Sequence, residues 1–96
     1  MPKAIHDGLT IKALRALIER QGYKCALTGD ELRPDNCTLD HVVPLARGGE
    51  HSITNAQFIL KEVNRAKNTM TTEEFVTMCR KVVAHADAEA KSAIVA

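Results

Sequence analysis

The chain has 96 residues, of which 45% are hydrophobic and only 3% aromatic, and its formal net charge is +1 at pH 7. This length predicts a single domain over residues 1–96 whose core depends on aliphatic side chains. The near-zero charge excludes binding of nucleic acid through a bulk basic field, and no apolar run is long enough to span a membrane.

The three cysteines, Cys25, Cys37 and Cys79, are an odd number, which argues against a disulfide framework. The chain meets a charged residue, Lys3, before any apolar run forms, so no secretory leader is recognisable. We therefore expect a cytoplasmic protein with reduced cysteines.

The first few residues are predicted to form an irregular lead-in. From Thr10, apolar residues recur at helical spacing, and Gly22 is a natural helix stop. An amphipathic helix packed on the core is expected here, with a membrane-surface or partner-binding helix as the less common alternative.

Two short apolar runs, at residues 25–27 and 37–39, are separated by turn-forming residues and predict the strands of a β-hairpin. Pro44 ends the second run, because proline cannot continue a central strand. Gly48 and Gly49 then predict a flexible loop.

A second helix is predicted from Ser52 or Thr54 through Asn68. A third helix is predicted after the capping box Thr71 to Glu74, because apolar residues repeat at helical spacing from Phe75 to Ala86. Cys79 lies on this apolar stripe and is expected in the core.

The residues best suited to catalysis or metal binding are Asp40 and His41, with Asn55 and Asn64 downstream. Carboxylate and amide oxygens, here Asp40 and Asn64, suit Mg²⁺ or Mn²⁺. A histidine such as His41 can take a proton from water near neutral pH. Together these residue types predict a phosphodiester-hydrolysing site with one divalent ion, although a lone Asp-His pair is more often a turn or a surface hydrogen bond.

Adjacent strand residues point to opposite faces, so Asp40 and His41 share a site only if the backbone curls there. Pro44 and the glycine pair favour such a curl. On the predicted second helix, Asn55 and Asn64 lie on opposite faces, so Asn55 is expected to hydrogen-bond the loop backbone that presents His41.

A set of spaced matches between Cys25 and about Asn68 resembles the HNH endonucleases. The matches are Cys25-x-x-Thr28-Gly29, Leu39-Asp40-His41-Val42-Val43-Pro44-Leu45, Gly48-Gly49, Asn55-x-Gln57 and Asn64-Arg65-x-Lys67. The resemblance implies an α+β fold with a ββα-metal core over about 23–70, in which a short β-hairpin and a helix surround one metal, flanked by N-terminal and C-terminal helices.

By this resemblance, Asp40 and Asn64 are metal ligands, His41 is the general base and Asn55 is the structural asparagine. Lys67 matches a basic position near the phosphate. The nearby basic residues Arg65, Lys61 and Arg47 are candidate nucleic-acid contacts, although such residues are as often plain solvated surface.

The implied reaction is hydrolysis of DNA, double-stranded by expectation, to a 5′-phosphate and a 3′-hydroxyl. The protein is expected to nick as a monomer or weak dimer, with a phage or restriction-type protein as a possible partner and no membrane. Two alternatives remain open: a non-catalytic nucleic-acid-binding or packaging-complex subunit on the same scaffold, and a structural helical module whose motif match is chance.

The chain departs from many relatives in two ways. Asn64 stands where many have histidine, which makes an H-N-N variant and favours one Mg²⁺ or Mn²⁺ ion. Thr28, Leu60 and Val63 stand where three of the four cysteines of a structural zinc site would be, so no structural zinc is expected.

Overall fold

The computed structural model describes residues 9–95, so the predicted lead-in lies outside the described residues. In chain order the elements are helix α1 (Ile11–Arg20), strand β1 (Cys37–His41), strand β2 (Ala56–Leu60), helix α2 (Lys61–Lys67) and helix α3 (Thr72–Val95). Short 3-10 turns lie at Leu45–Arg47 and Ile53–Asn55. An antiparallel strand pair with helices before and after it confirms the predicted α+β architecture.

Helix α1 forms where its sequence signals place it. The Oγ1 of Thr10 accepts a hydrogen bond from the backbone N–H of Ala13 at 3.0 Å, which caps the first turn. Leu17 on its inner face is buried. Gly22 follows the helix with φ of +64°, a left-handed conformation that glycine adopts without steric cost.

The strand pair differs from the predicted hairpin. Strand β1 pairs with β2, with Cys37 opposite Leu60 and His41 opposite Ala56. Residues 25–27 are instead part of a tight turn, which an isolated bridge between Lys24 and Glu31 closes. An apolar run of three residues is compatible with either structure, and here the chain reverses at Gly29, whose φ is +78°.

The second predicted helix was wrong over its first half. Residues 53–55 are a 3-10 turn and residues 56–60 are β2, so α2 begins only at Lys61. The run Ala-Gln-Phe-Ile-Leu of β2 is short and mostly apolar, and periodicity alone does not separate such a strand from a buried helix. Consequently Asn55 and Asn64 do not share a helix.

The core lies between the strand pair, α1 and the tight turn. Its buried residues are Cys25, Leu32, Ile59 and Leu60, with half-buried apolar neighbours from α1, the turn, both strands and α2. The side-chain amide of Gln21 donates to the carbonyl of Phe58 at 2.9 Å and accepts from its N–H at 2.9 Å. The backbone N–H of Ala26 donates to the same Phe58 carbonyl at 3.0 Å, so these contacts together cover the outer edge of β2.

Helix α3 begins as predicted but does not join the core along its length. The predicted capping box forms, because Thr71 and Glu74 each accept the backbone N–H of the other at 3.1 Å. Cys79 is only half-buried, which corrects the prediction that it lies in the core, and Val82 is 61% exposed. The helix therefore projects from a small core, and the molecule measures 67 × 28 × 19 Å.

No helix between residues 9 and 95 is both long and apolar enough to cross a membrane.

Candidate active site

A cleft of about 260 Å³ lies between the end of β1, the turn that follows it and α2. Asp40, His41 and Asn64, three residues that the sequence singles out, all line this cleft together with Leu39, Pro44, Leu45 and Asn68. The fold thus gathers a carboxylate, an imidazole and an amide on one surface, from positions 24 residues apart in the chain.

Asp40 is the buried member of this group, with 6% of its surface exposed. It lies opposite Gln57 in the strand register, and the Nε2 of Gln57 donates to its Oδ2 at 2.9 Å. The same Nε2 reaches the hydroxyl of Thr72 at 3.0 Å. The two strands and the start of α3 therefore fix the carboxylate.

Lys67 is the second partner of Asp40, and it is completely buried. Its Nζ lies 3.1 Å from Oδ2 and 3.3 Å from Oδ1 of Asp40, and it also donates to the backbone carbonyl of His41 at 2.9 Å. The prediction that Lys67 contacts a DNA phosphate needs correction, because its ammonium group faces no solvent. The group compensates the buried charge of Asp40 and holds the backbone at His41.

His41 makes a contact that the sequence did not reveal. Its Nε2 lies 3.0 Å from the Nδ1 of His51, and the two rings are tilted by 36° with their centroids 5.2 Å apart. Asp40, the nearest carboxylate in sequence, is held by Gln57 and Lys67. The imidazole of His41 is therefore oriented by a second imidazole.

Asn55 lies outside the cleft, and its side chain forms hydrogen bonds with the backbone of the loop that follows β1. Its Oδ1 accepts the N–H of Val43 at 2.9 Å, and its Nδ2 donates to the carbonyls of Val43 at 2.9 Å and Glu50 at 2.8 Å. A Cβ atom on Gly49 would overlap the Val43 carbonyl, so the loop packs here too closely for any side chain. The residues just after β1 are thus held against the loop that carries His51.

The HNH endonuclease family model matches residues 22–70, slightly more than half of the chain. The chain belongs to the HNH endonuclease family. These proteins are nucleases that act on DNA and typically use a divalent metal ion, so a nuclease is the general function that the match supports. No curated protein matches the chain significantly.

The basic residues around this HNH core do not form one surface. Lys61 and Arg65 are exposed on α2, where they line a second cleft of about 380 Å³ that shares no residue with the first. Arg47 instead forms an ion pair with Glu74, in which its Nη2 donates to Oε2 at 3.0 Å. This hydrogen bond to Glu74 raises the pKa of Arg47 above its usual value.

Two of the positions where a structural zinc ligand would be expected by the resemblance, Leu60 and Val63, are apolar here. Leu60 is buried in the core cluster and Val63 packs against it. Cys25 is also buried there: burial raises the pKa of its thiol, but hydrogen bonds with Thr28 and nearby backbone groups outweigh this effect and leave the pKa below its usual value. Side chains at these positions therefore pack into the core.

Two side chains near the HNH site received no role from the sequence: Gln57, which was only part of a motif match, and His51. Gln57 would follow from the strand register, which places it opposite Asp40, but the register itself depended on recognising β2. His51 occupies an irregular loop, where no periodicity predicts which side chain it approaches. Three-dimensional placement alone reveals both.

Proposed function

We propose that this protein is a metal-dependent HNH endonuclease of the H-N-N type that hydrolyses DNA phosphodiester bonds. The observation that carries the proposal is the meeting of Asp40, His41 and Asn64 in one cleft of a chain that belongs to the HNH family. It nicks DNA as a monomer and leaves a 5′-phosphate and a 3′-hydroxyl.

The donor set of the cleft fits a hard divalent ion. Asp40 offers a carboxylate and Asn64 an amide oxygen, whereas no group of three or more His, Cys, Asp or Glu side chains within residues 9–95 is placed to hold a metal. Mg²⁺ and Mn²⁺ suit such a sparse oxygen set because they keep several water ligands and add substrate phosphate oxygens. Zinc prefers a fuller set of nitrogen and sulfur ligands. A bound ion of this kind would compensate the charge that develops on the phosphate and its leaving oxygen.

The side chains have separate tasks in this proposal. Asp40 and Asn64 would hold the ion, and His41 would accept a proton from the attacking water. About four acceptor positions are available on a carboxylate, and hydrogen bonds from Gln57 and Lys67 occupy two of them on Asp40. Acceptor positions therefore remain for a metal ion.

Asn55 and Lys67 position these groups. The Asn55 amide holds the backbone of Val43, two residues beyond His41. Lys67 joins the carboxylate of Asp40 to the backbone carbonyl of His41. Lys61 and Arg65, both exposed on α2, are the candidate contacts to the DNA backbone, and Arg47 joins them only by leaving Glu74.

A second candidate function is a non-catalytic DNA-binding or packaging subunit on the same HNH scaffold. It is favoured by the engagement of Lys67 and Arg47 with acidic partners, since few basic side chains are then free near the cleft. This alternative predicts DNA or partner binding without metal-dependent cleavage.

The proposed ligand set is tested by titrating Mn²⁺ into the protein calorimetrically. Outer partners of metal sites already contribute roughly 10- to 100-fold to affinity, so Asn64→Ala and Asp40→Asn should each weaken Mn²⁺ binding by at least about tenfold. The matched control is Asn68→Gly, which removes a second amide from the same cleft while suiting the positive φ of 51° at that residue.

Asn68→Gly is expected to bind Mn²⁺ like the wild type. Unchanged affinity in both Asn64→Ala and Asp40→Asn would discard the ligand assignment. An equal loss in the Asn68→Gly control would mean that the cleft binds the ion without the proposed selectivity.

A further inference from the structure

We propose that His51 is a positioning residue for His41, and that it selects the tautomer in which Nδ1 of His41 is free to take a proton. The inference rests on the proposed function for its consequence in catalysis, but the tautomer itself is measurable without metal, DNA or cleavage. It starts from the 3.0 Å contact between Nε2 of His41 and Nδ1 of His51.

A neutral imidazole has one N–H and one lone pair, so only one of the two rings supplies the hydrogen in this contact. If His41 donates through Nε2, the lone pair of its Nδ1 is available to a water molecule. If His51 donates instead, His41 carries its hydrogen on Nδ1. Its lone pair is then on Nε2, where it accepts the hydrogen bond from His51, and no lone pair is left for a water molecule. A base at His41 therefore requires the first arrangement, in which His51 is the acceptor.

His51 is the side chain in a position to make this choice. Within residues 9–95, the His41 ring forms a hydrogen bond with one other side chain, that of His51. The neighbouring carboxylate of Asp40 is engaged by Gln57 and Lys67. A histidine base is commonly oriented by a third group, and His51 is the group that occupies this place here.

The loop holds His51 in place from both sides. The Nδ2 of Asn55 donates to the carbonyl of Glu50, the residue before His51, at 2.8 Å. The backbone N–H of Asn55 donates to the carbonyl of Ser52, the residue after it, at 3.0 Å. Because Asn55 also holds Val43, one side chain fixes the distance between the two imidazoles.

In the reaction, the proton leaves the attacking water for Nδ1 of His41 while the water oxygen bonds to phosphorus. The bond from phosphorus to the 3′ oxygen breaks, and that oxygen is protonated by solvent. The Nε2–H of His41 continues to donate to His51 throughout, so His51 touches no reacting atom and acts only through His41.

The first test is spectroscopic and uses the full ¹⁵N-labelled chain without metal or DNA. Near about pH 8, above the ordinary histidine pKa of about 6.5, long-range ¹H–¹⁵N spectra should show His41 protonated at Nε2. In His51→Leu this tautomer should give way to a mixture, whereas His51→Asn, whose Oδ1 takes the place of Nδ1, should keep it. A His41 protonated at Nδ1, or one unaffected by His51→Leu, would overturn the proposal.

The second test measures plasmid cleavage with Mg²⁺. His51→Leu should lower kcat by roughly 10- to 100-fold at unchanged KM, as expected when an orienting partner is lost, and His51→Asn should restore most of it. His85→Leu, on the exposed part of α3, is the control and should cleave like the wild type. A wild-type rate in His51→Leu, or an equal loss in His51→Asn, would contradict the assignment.

The two tests separate failure of this inference from failure of the proposed function. If the wild type cleaves no DNA with any divalent ion, the nuclease proposal fails, and the NMR spectra still decide whether His51 sets the tautomer of His41.

Discussion

The buried pair of Asp40 and Lys67 is the feature of individual residues on which the cleft most depends. Removing two charges from water costs several kcal/mol for each ion, and their attraction offsets this only when the remaining hydrogen bonds are satisfied. Here they are, since Gln57 and the carbonyl of His41 complete the arrangement. Within residues 9–95, no buried side-chain nitrogen or oxygen lacks a hydrogen-bond partner.

This pair predicts strongly non-additive mutations. Lys67→Met or Asp40→Asn alone leaves one buried charge without its partner and should lower the free energy of unfolding by about 3–5 kcal/mol. The double variant should lose clearly less than the sum of the two. Urea denaturation of the four proteins measures the coupling, and additivity within about 0.5 kcal/mol would show that the two charges do not interact.

The helices and strands differ in how far the local sequence determines their conformation. Helix α1 and the start of α3 were predictable because their caps and apolar spacing are local: Thr10 and Thr71 bond to backbone groups three residues ahead. Strand β2 was not predictable in this way, because its partner β1 is about 20 residues away and pairing decides its conformation. For this reason the first half of the helix predicted from residue 52 or 54 to 68 contains a strand in the structure.

The same contrast applies to α2. The side of this helix that faces the core does not follow hydrophobicity, because Ala66 is exposed and Lys67 is buried. A buried lysine contradicts the usual hydrophobic pattern, and only the position of Asp40 on β1 explains it.

The start of α3 predicts a pH dependence of stability. The hydrogen bond from Arg47 lowers the pKa of Glu74 from 4.5 to about 2 in the folded protein. A carboxylate with a lowered folded pKa stabilises the protein above its unfolded pKa and loses this effect as the pH falls towards its folded pKa. The contribution is small because the Arg47 and Glu74 side chains are 44% and 46% exposed.

Glu74→Gln keeps an acceptor for the capping box but removes the charge, so it isolates the ion pair with Arg47. The wild type should melt higher than Glu74→Gln near neutral pH, and the difference should shrink below about pH 4.5 and vanish near pH 2. Added salt should also reduce it. A difference that grows as the pH falls would contradict the role assigned to this pair.

At the scale of the whole molecule, one proposed cleft lies on a small core from which α3 projects. The sequence could single out Asp40, His41 and Asn64, which line this cleft, because residue chemistry and spacing carry that signal. Their roles stay predictions. The sequence could not predict Gln57 or His51, because their roles depend on strand register and loop path. The sequence also led to the prediction that Lys67 lies near a DNA phosphate, because a sequence does not show which lysine is buried.

One proposed metal site in each chain implies that one encounter with DNA cuts one strand. Supercoiled plasmid should therefore pass through the open circle before linear DNA appears, and raising the protein concentration should not remove this order if the monomer is the active species. Direct conversion to linear DNA would instead indicate a dimer with two clefts on one duplex.

The most direct test of the account is the rate at which Mg²⁺-supplied wild type and His41→Ala nick supercoiled plasmid, with EDTA as the metal-free control. The wild type should nick only with the divalent ion, and His41→Ala should be slower by roughly 10²–10⁴ while it unfolds at nearly the same temperature. Nicking by His41→Ala at the wild-type rate would contradict the assignment of His41 as the base in this cleft.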